Sequence, residues 1–249
     1  MRSKVVFACL ILSLFTGSKP AIAFTISHPT ETETAHYKLY YAGIIVGKLA
    51  LLWEADAQYY KLTFTMKTTG LMRLLKTQRR IAEISGKRDG AAFTPIHYHA
   101  SVIYPSKQKS TDMSYESGVL RDSVSEPAEE MKLTTLQKQS AVDPVTGLLQ
   151  VFTYMRNTAQ TRPFATVYFD GKRLARIHAI PNAEPMLHCS DPCSAYRMSR
   201  TPLVGFKPKE LSAYAKGEPP LFVFFKPDSR FPLAANIRAM LGTITLVRE

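Results

Sequence analysis

SAVDPVTGLLQVFTYMRN, Ser140 to Asn157, is the stretch whose reading decides the fold. Asp143 stands where an N-cap carboxylate accepts backbone N–H donors, and Pro144 fills the first helical position, where its missing donor costs nothing. Val145, Leu148, Leu149, Phe152 and Met155 recur at helical spacing and predict one apolar stripe. Asn157 closes the C-terminus, and Arg156 complements the dipole there. A helix of about thirteen residues is marginal alone in water. It needs a surface that buries Leu148, Leu149 and Phe152, and a sheet is the natural one.

What surrounds this stretch reads mostly as strands. QYYKLTFTMKTTG places Tyr60, Leu62, Phe64 and Met66 on one face and Lys61, Thr63, Thr65 and Lys67 on the other. HYKLYYAG and VGKLALLWEAD read as a hairpin, with Gly43 and Gly47 allowing the tight connection. PIHYHASVIYP alternates through Ile96, Tyr98, Ala100, Val102 and Tyr104, followed by short strands at Asp112 to Tyr115 and Val119 to Ser123. Residues 24–35 read as a lead-in that becomes ordered near His36, and residues 124–142 as a surface excursion. LMRLLKTQRR fits a helical turn or a bent strand. PFATVYFDGKRLARIHAI is a hairpin with Asp170-Gly171 at its tip, and AYRMSRTPLVGF, PPLFVFFKPD and GTITLVRE supply the last strands. PLAANIRAML fits a short helix on propensity. The fold class expected is mainly β: one highly curved antiparallel sheet, an open barrel or β-spiral, packed around one central α-helix. Regular helices between strands are missing, which disfavours a doubly wound α/β fold.

Residues 1–23 carry the marks of a signal peptide: Arg2 and Lys4, the apolar run Val5 to Phe15, and the small-x-small site Ala21-Ile22-Ala23. Cleavage after Ala23 leaves one domain, residues 24–249, working in the periplasm without a transmembrane segment. Losing Arg2, Lys4 and Lys19 lowers the formal charge from +12 to +9. That excess favours an anionic membrane surface as a peripheral contact. It does not point to nucleic acid, because the basic residues are dispersed and no finger, P-loop or RNP motif is present.

No stretch carries a diagnostic catalytic, cofactor or metal motif. In an exported chain, Cys189 and Cys193 of CSDPC are expected to form a disulfide; their spacing is not that of a redox C-x-x-C. His97 and His99 share a strand face, which suits ordinary polar surface or, with a third group, a metal or acid–base site. Tyr40, Tyr41, Trp53 and Phe64 suit the core or the wall of an apolar ligand cavity. Arg156 suits the helix dipole, a sheet carboxylate or a ligand.

The features YKLYYAGIIVGKL, TTGLMRLL, DPVTGLLQVFTYMRN, FDGKRL and PLAANIRAMLGTITL resemble the bacterial DUF3108 family of exported proteins, over about His36 to Val247. The resemblance implies a spiral or barrel-like β-rich envelope protein of unassigned biochemical activity, distantly similar to periplasmic β-spiral proteins implicated in envelope integrity. Tyr41, Gly47, Gly70, Arg156, Asp170 and Gly171 lie in these motifs, and the resemblance gives none of them a catalytic role. The function expected is therefore non-enzymatic: binding or organising an envelope lipid or envelope protein without a cofactor. The alternative is an envelope hydrolase acting on an acyl or saccharide substrate. A groove rimmed by basic residues favours binding; paired carboxylates, or His97 and His99 with a nearby acid, favour the enzyme.

Overall fold

The computed structural model describes residues 26, 29–70, 72–75, 77–127, 133–156, 162–181, 193–215, 217, 219–226, 229–239 and 242–249. The expected leader, residues 1–23, and Cys189 lie outside them.

Thirteen strands of the described residues form one sheet: β1 (Glu31–Tyr41), β2 (Ile44–Ala55), β3 (Tyr59–Thr68), β4 (Arg79–Asp89), β5 (Ala92–Tyr104), β6 (Lys107–Glu116), β7 (Val119–Glu126), β8 (Phe164–Phe169), β9 (Leu174–Pro181), β10 (Ser194–Val204), β11 (Leu221–Phe225), β12 (Ala234–Ala239) and β13 (Gly242–Arg248). Among the described residues four helices accompany them: α1 (Met72–Leu75), α2 (Thr135–Ser140), α3 (Pro144–Arg156) and α4 (Pro208–Ala215). The strand order runs β7 to β1, then β13 to β8, so every neighbour is antiparallel and β1 and β13 join the two halves. The sheet is open, with β7 and β8 as its edges.

Turn chemistry sets the registers. Ala42 and Gly43 both have positive φ (48° and 82°), as do Ser117 and Gly118 (50° and 79°), the twist that two-residue hairpins prefer. Gly47 is not part of the turn expected there. It sits inside β2 beside the register shift at Leu39/Tyr40, and a Cβ on it would lie 3.2 Å from the Lys67 carbonyl.

Inward side chains of β2, β3 and β5 build a three-ring aromatic cluster. Trp53 stacks on Tyr60 at 5.5 Å, and Phe93 meets both edge-on at 5.9 and 5.1 Å. Gly86 makes room for this group, because a Cβ there would fall 2.5 Å from the Tyr60 ring. Opposite it, the register shifts between Ser85 and Gly86, so the alternation expected through Ile96 breaks and Phe93 and Pro95 turn inward.

The decisive helix is α3. Asp143 Oδ1 accepts from the Val145 and Thr146 N–H groups at 2.9 and 2.8 Å. Just before it, Val142 bridges the sheet edge: its N–H donates to Val167 at 3.1 Å, and Phe169 N–H donates back at 2.8 Å. The helix packs on β5, β8, β9 and β10, drawn from both halves of the sheet. Gln150 accepts from the Thr166 hydroxyl of β8 at 2.7 Å and donates to the Phe93 carbonyl of β5 at 3.4 Å. Its buried positions are Pro144, Val145, Thr146, Gly147, Leu149, Val151 and Met155, more than one stripe. Leu148 and Phe152, expected to be core, are half-buried, whereas Val151 is fully enclosed. A helix that packs on strands from both halves of the sheet buries residues that a one-sided pattern leaves out, and with α1, α2 and α4 beside it α3 is not the one helix expected.

Four other expectations are corrected. β1 begins at Glu31, inside the expected lead-in, because Glu31–Ala35 pair with Leu51–Ala55. β7 extends to Glu126, into the expected surface excursion, and α2 then forms with a capping box between Thr134 and Gln137. PLAANIRAML is strand β12, held between β11 and β13, so sheet pairing overrides its helical propensity. The helix α4 follows β10, where only strand and loop were expected. LMRLLKTQRR resolves as α1 followed by the start of β4.

Candidate functional site

On the outer face, β1, β13 and β12 frame a groove of about 720 Å³ lined by Tyr40, Ala42, Gly43, Lys226, Leu233, Ala234, Asn236, Thr243, Thr245 and Val247. Tyr37 and Leu246 take the core face, so Tyr40, Thr245 and Val247 turn outward. Tyr40, Thr245 and Asn236 form one cross-strand row, and the small side chains of Ala234 and Thr243 leave room beside it. Leu233 and Val247 supply apolar wall, and Lys226 brings a cation to the lining. The volume falls in the range of small-molecule sites.

A second constellation sits on the outer face of β5 and β6. Asp112 bridges two imidazoles, Oδ1 to His97 Nε2 at 2.8 Å and Oδ2 to His99 Nδ1 at 2.7 Å. Burial alone would push the Asp112 carboxyl up. The hydrogen bonds from His97 and His99, with their charge, outweigh it and hold the group well below the usual carboxylate range. Glu83 of β4 lies opposite His99 and is 3.8 Å from Lys61. No hydroxyl or thiol among the described residues hydrogen-bonds to either imidazole. Nor, among those residues, are three His, Cys, Asp or Glu side chains arranged to hold a metal ion.

A third group is buried. Asp143 Oδ2 has no hydrogen-bond partner, and desolvation raises this carboxyl to about 6. The Tyr60 hydroxyl lies 3.0 Å from Thr146 Oγ1 beside it. Asp170, at the β8–β9 turn, is also raised to about 6 by burial, partly offset by Arg173 and Arg200. Its Oδ1 accepts from the Lys172 N–H at 3.0 Å and the Arg173 N–H at 2.6 Å. The next residue, Gly171, has φ +87° and lies against Thr111 and Ser125 of β6 and β7, where a Cβ would come within 2.6 Å. The conformation needs glycine, and so does the close approach of this hairpin tip to the far edge of the sheet.

The ligand candidates named from sequence do not come together. Trp53 and Phe64 are buried in the core. Trp53 also donates to Glu31 at 3.4 Å and carries Arg230 over its ring at 4.3 Å. Glu31 in turn accepts both arms of Arg88, at 2.9 and 2.7 Å, and that hydrogen bonding draws its carboxyl down to about 2. Tyr41 is half-buried between Ile44 and Ile244, and only Tyr40 reaches the groove. Arg156 ends α3 in the repulsive field of Arg230 and pairs with no described carboxylate. Sequence reasoning missed Asp112 as the partner of the two histidines. The signal was present: Pro105-Ser106 is a two-residue turn, and residues equally distant from such a turn, here His99 and Asp112, must face each other.

The model of the family described as Protein of unknown function (DUF3108) matches residues 36–247. The chain belongs to this family. The match runs from the middle of β1 almost to the end of β13, so it takes in both joined halves of the sheet. A comparison with curated proteins returned no match. Among solved structures, the chain is similar to a beta-barrel-like protein of domain of unknown function DUF1849 from Brucella abortus. The two share 9% identity at a TM-score of 0.47, over 88% of this chain and 95% of that one.

Proposed function

We propose that this DUF3108 protein is a non-enzymatic periplasmic binding protein that holds an amphipathic envelope component, a lipid, in the outer groove of β1, β13 and β12 and so contributes to envelope integrity. The observation that carries it is the groove itself: about 720 Å³, apolar along Leu233, Ala234 and Val247, with Lys226 placed for an anionic group. Export follows from the leader-like residues 1–23, and no helix among the described residues is long and apolar enough to cross a membrane. Mass spectrometry of molecules retained by the protein purified from its native periplasm tests the reading. A lipid retained by the natural protein and lost from Val247→Asp supports it. Enrichment of no lipid, or retention indifferent to Val247→Asp, overturns it.

One observation favours a second reading, hydrolysis of an acyl or saccharide substrate: His97 and His99 share a carboxylate, as general bases often do. Turnover of ester and glycoside probes that vanishes in both His97→Gln and His99→Gln would replace the binding reading with this one.

A further inference from the structure

We propose that one rim of the sheet docks on an anionic phospholipid bilayer. In an antiparallel sheet, successive connections alternate between two rims. The β1–β2, β3–β4, β5–β6, β8–β9, β10–β11 and β12–β13 connections therefore share one rim, and those between β2–β3, β4–β5, β6–β7, β9–β10 and β11–β12 the other.

Exposed apolar side chains gather at the first rim. Ile44 is 54% exposed, Ile45 37%, Leu203 41% and Leu211 44%; of the other exposed large apolar side chains, Leu136 lies on α2 and Val247 near the second-rim end of β13. Around Ile44 and Ile45 the β1–β2, β3–β4 and β12–β13 loops touch one another. Thr69 N–H donates to the Val46 carbonyl at 3.0 Å, Ala42 N–H donates to Thr243 at 3.0 Å, and a Cβ on Gly70 would fall 2.7 Å from the Ile45 carbonyl. Around these tips stand the exposed cations Arg73, Arg79, Lys107, Lys207, Lys209 and Arg238. Of the acids there among the described residues, Asp170 is buried and Glu210 is tied to Arg173; Glu126 is exposed. At the second rim Lys87, Arg162 and Arg197 are exposed, but acids hold the other cations. Arg88 and Arg230 are paired with Glu31, Arg248 with Glu33, and Arg121 with Glu116.

Apolar tips ringed by cations match a bilayer interface: the tips enter the acyl boundary while Lys and Arg stay among phosphate groups. A folded protein partner supplies acids but no fluid apolar layer for Ile44 and Ile45. The proposal does not depend on the groove's occupant, although Ala42 and Gly43 bring one end of the groove to this rim.

Co-sedimentation of the exported protein with large vesicles tests it. Vesicles of phosphatidylglycerol and phosphatidylethanolamine should bind the protein, phosphatidylcholine vesicles should not, and high salt should weaken the binding. Ile44→Ser with Ile45→Ser, and separately Arg73→Glu with Arg238→Glu, should each lower partitioning on the order of tenfold. Lys87→Glu with Arg121→Glu, at the second rim, should leave it unchanged. Urea midpoints confirm folding, and Arg73→Ala with Arg238→Ala repeats the test without new charge. The proposal is overturned if phosphatidylglycerol vesicles fail to bind, if second-rim variants lose as much, or if the first-rim residues capture a protein without vesicle binding. Groove occupancy reads out separately through Val247→Asp, so either proposal can fail alone.

Discussion

The Tyr60 hydroxyl lies 3.0 Å from Thr146 Oγ1, tying β3 to the first turn of α3 across 86 residues of sequence. Both residues are buried, so no water competes for the bond in the folded chain, and its net worth is what remains after the water bonds lost on folding. A cycle of Tyr60→Phe, Thr146→Val and the double variant should show a coupling of about 0.5–1.5 kcal/mol in urea unfolding. Additive single effects would show that the two hydroxyls act independently.

Leu149→Ala should cost about 2–5 kcal/mol, as a buried leucine truncation does when the cavity closes imperfectly. Leu148→Ala should cost clearly less, because Leu148 is half-buried. Equal losses in chemical denaturation would contradict the placement of the helix.

Asp143 gives a pH signature. Its carboxyl is raised from 3.8 to about 6 in the folded chain, so between about pH 4 and 6 the native state holds a proton that the unfolded state has released. Stability contributed by the protonated form is therefore present below the unfolded value and lost as pH rises through about 6. The size is on the order of 3 kcal/mol, from about 1.4 kcal/mol for each pH unit between the two values. Asp143→Asn keeps an N-cap acceptor and should remove this part of the slope. A variant with the natural protein's slope over that window would refute the assignment.

Gly86→Ala forces a Cβ to within 2.4 Å of the Thr94 carbonyl and 2.5 Å of Tyr60, so neither neighbour can yield cheaply. It should cost at least about 1–3 kcal/mol, the range for overpacking. Gly90→Ala meets open space and pays only for φ +55°, roughly 1–2 kcal/mol. Reversal of this order in thermal or urea unfolding would place the strain elsewhere.

Intact mass measurement of the exported protein should identify Phe24 as its first residue and show a gain of two hydrogens on reduction, from a Cys189–Cys193 disulfide. Retention of Arg2 would defeat the first expectation, and two free thiols the second.

Local pattern carried much of the architecture. The Asp143-Pro144 start of α3, the alternation of β3, and the turns at Gly43, Gly90, Gly118 and Asp170-Gly171 depend on neighbours in sequence, so they were readable there. β12 was not, because Ala, Asn and Arg have no strong strand preference and the pairing partners Leu221–Phe224 and Gly242–Val247 decide its state.

By itself, then, the sequence determined the β-rich class, the position of one capped amphipathic helix and the absence of a diagnostic reactive motif, all set by local spacing. Tertiary structure decided the rest. Only the β1–β13 pairing places Tyr40 beside Thr245 and Asn236 to make the outer groove, and only sheet curvature puts Gly171 against Thr111 and Ser125. The same pairings send Trp53 and Phe64 to the core while leaving Tyr40 outside, although all four aromatic candidates looked alike as residues. The physical reason is that a strand offers two faces, and which one meets a ligand depends on what the sheet folds around.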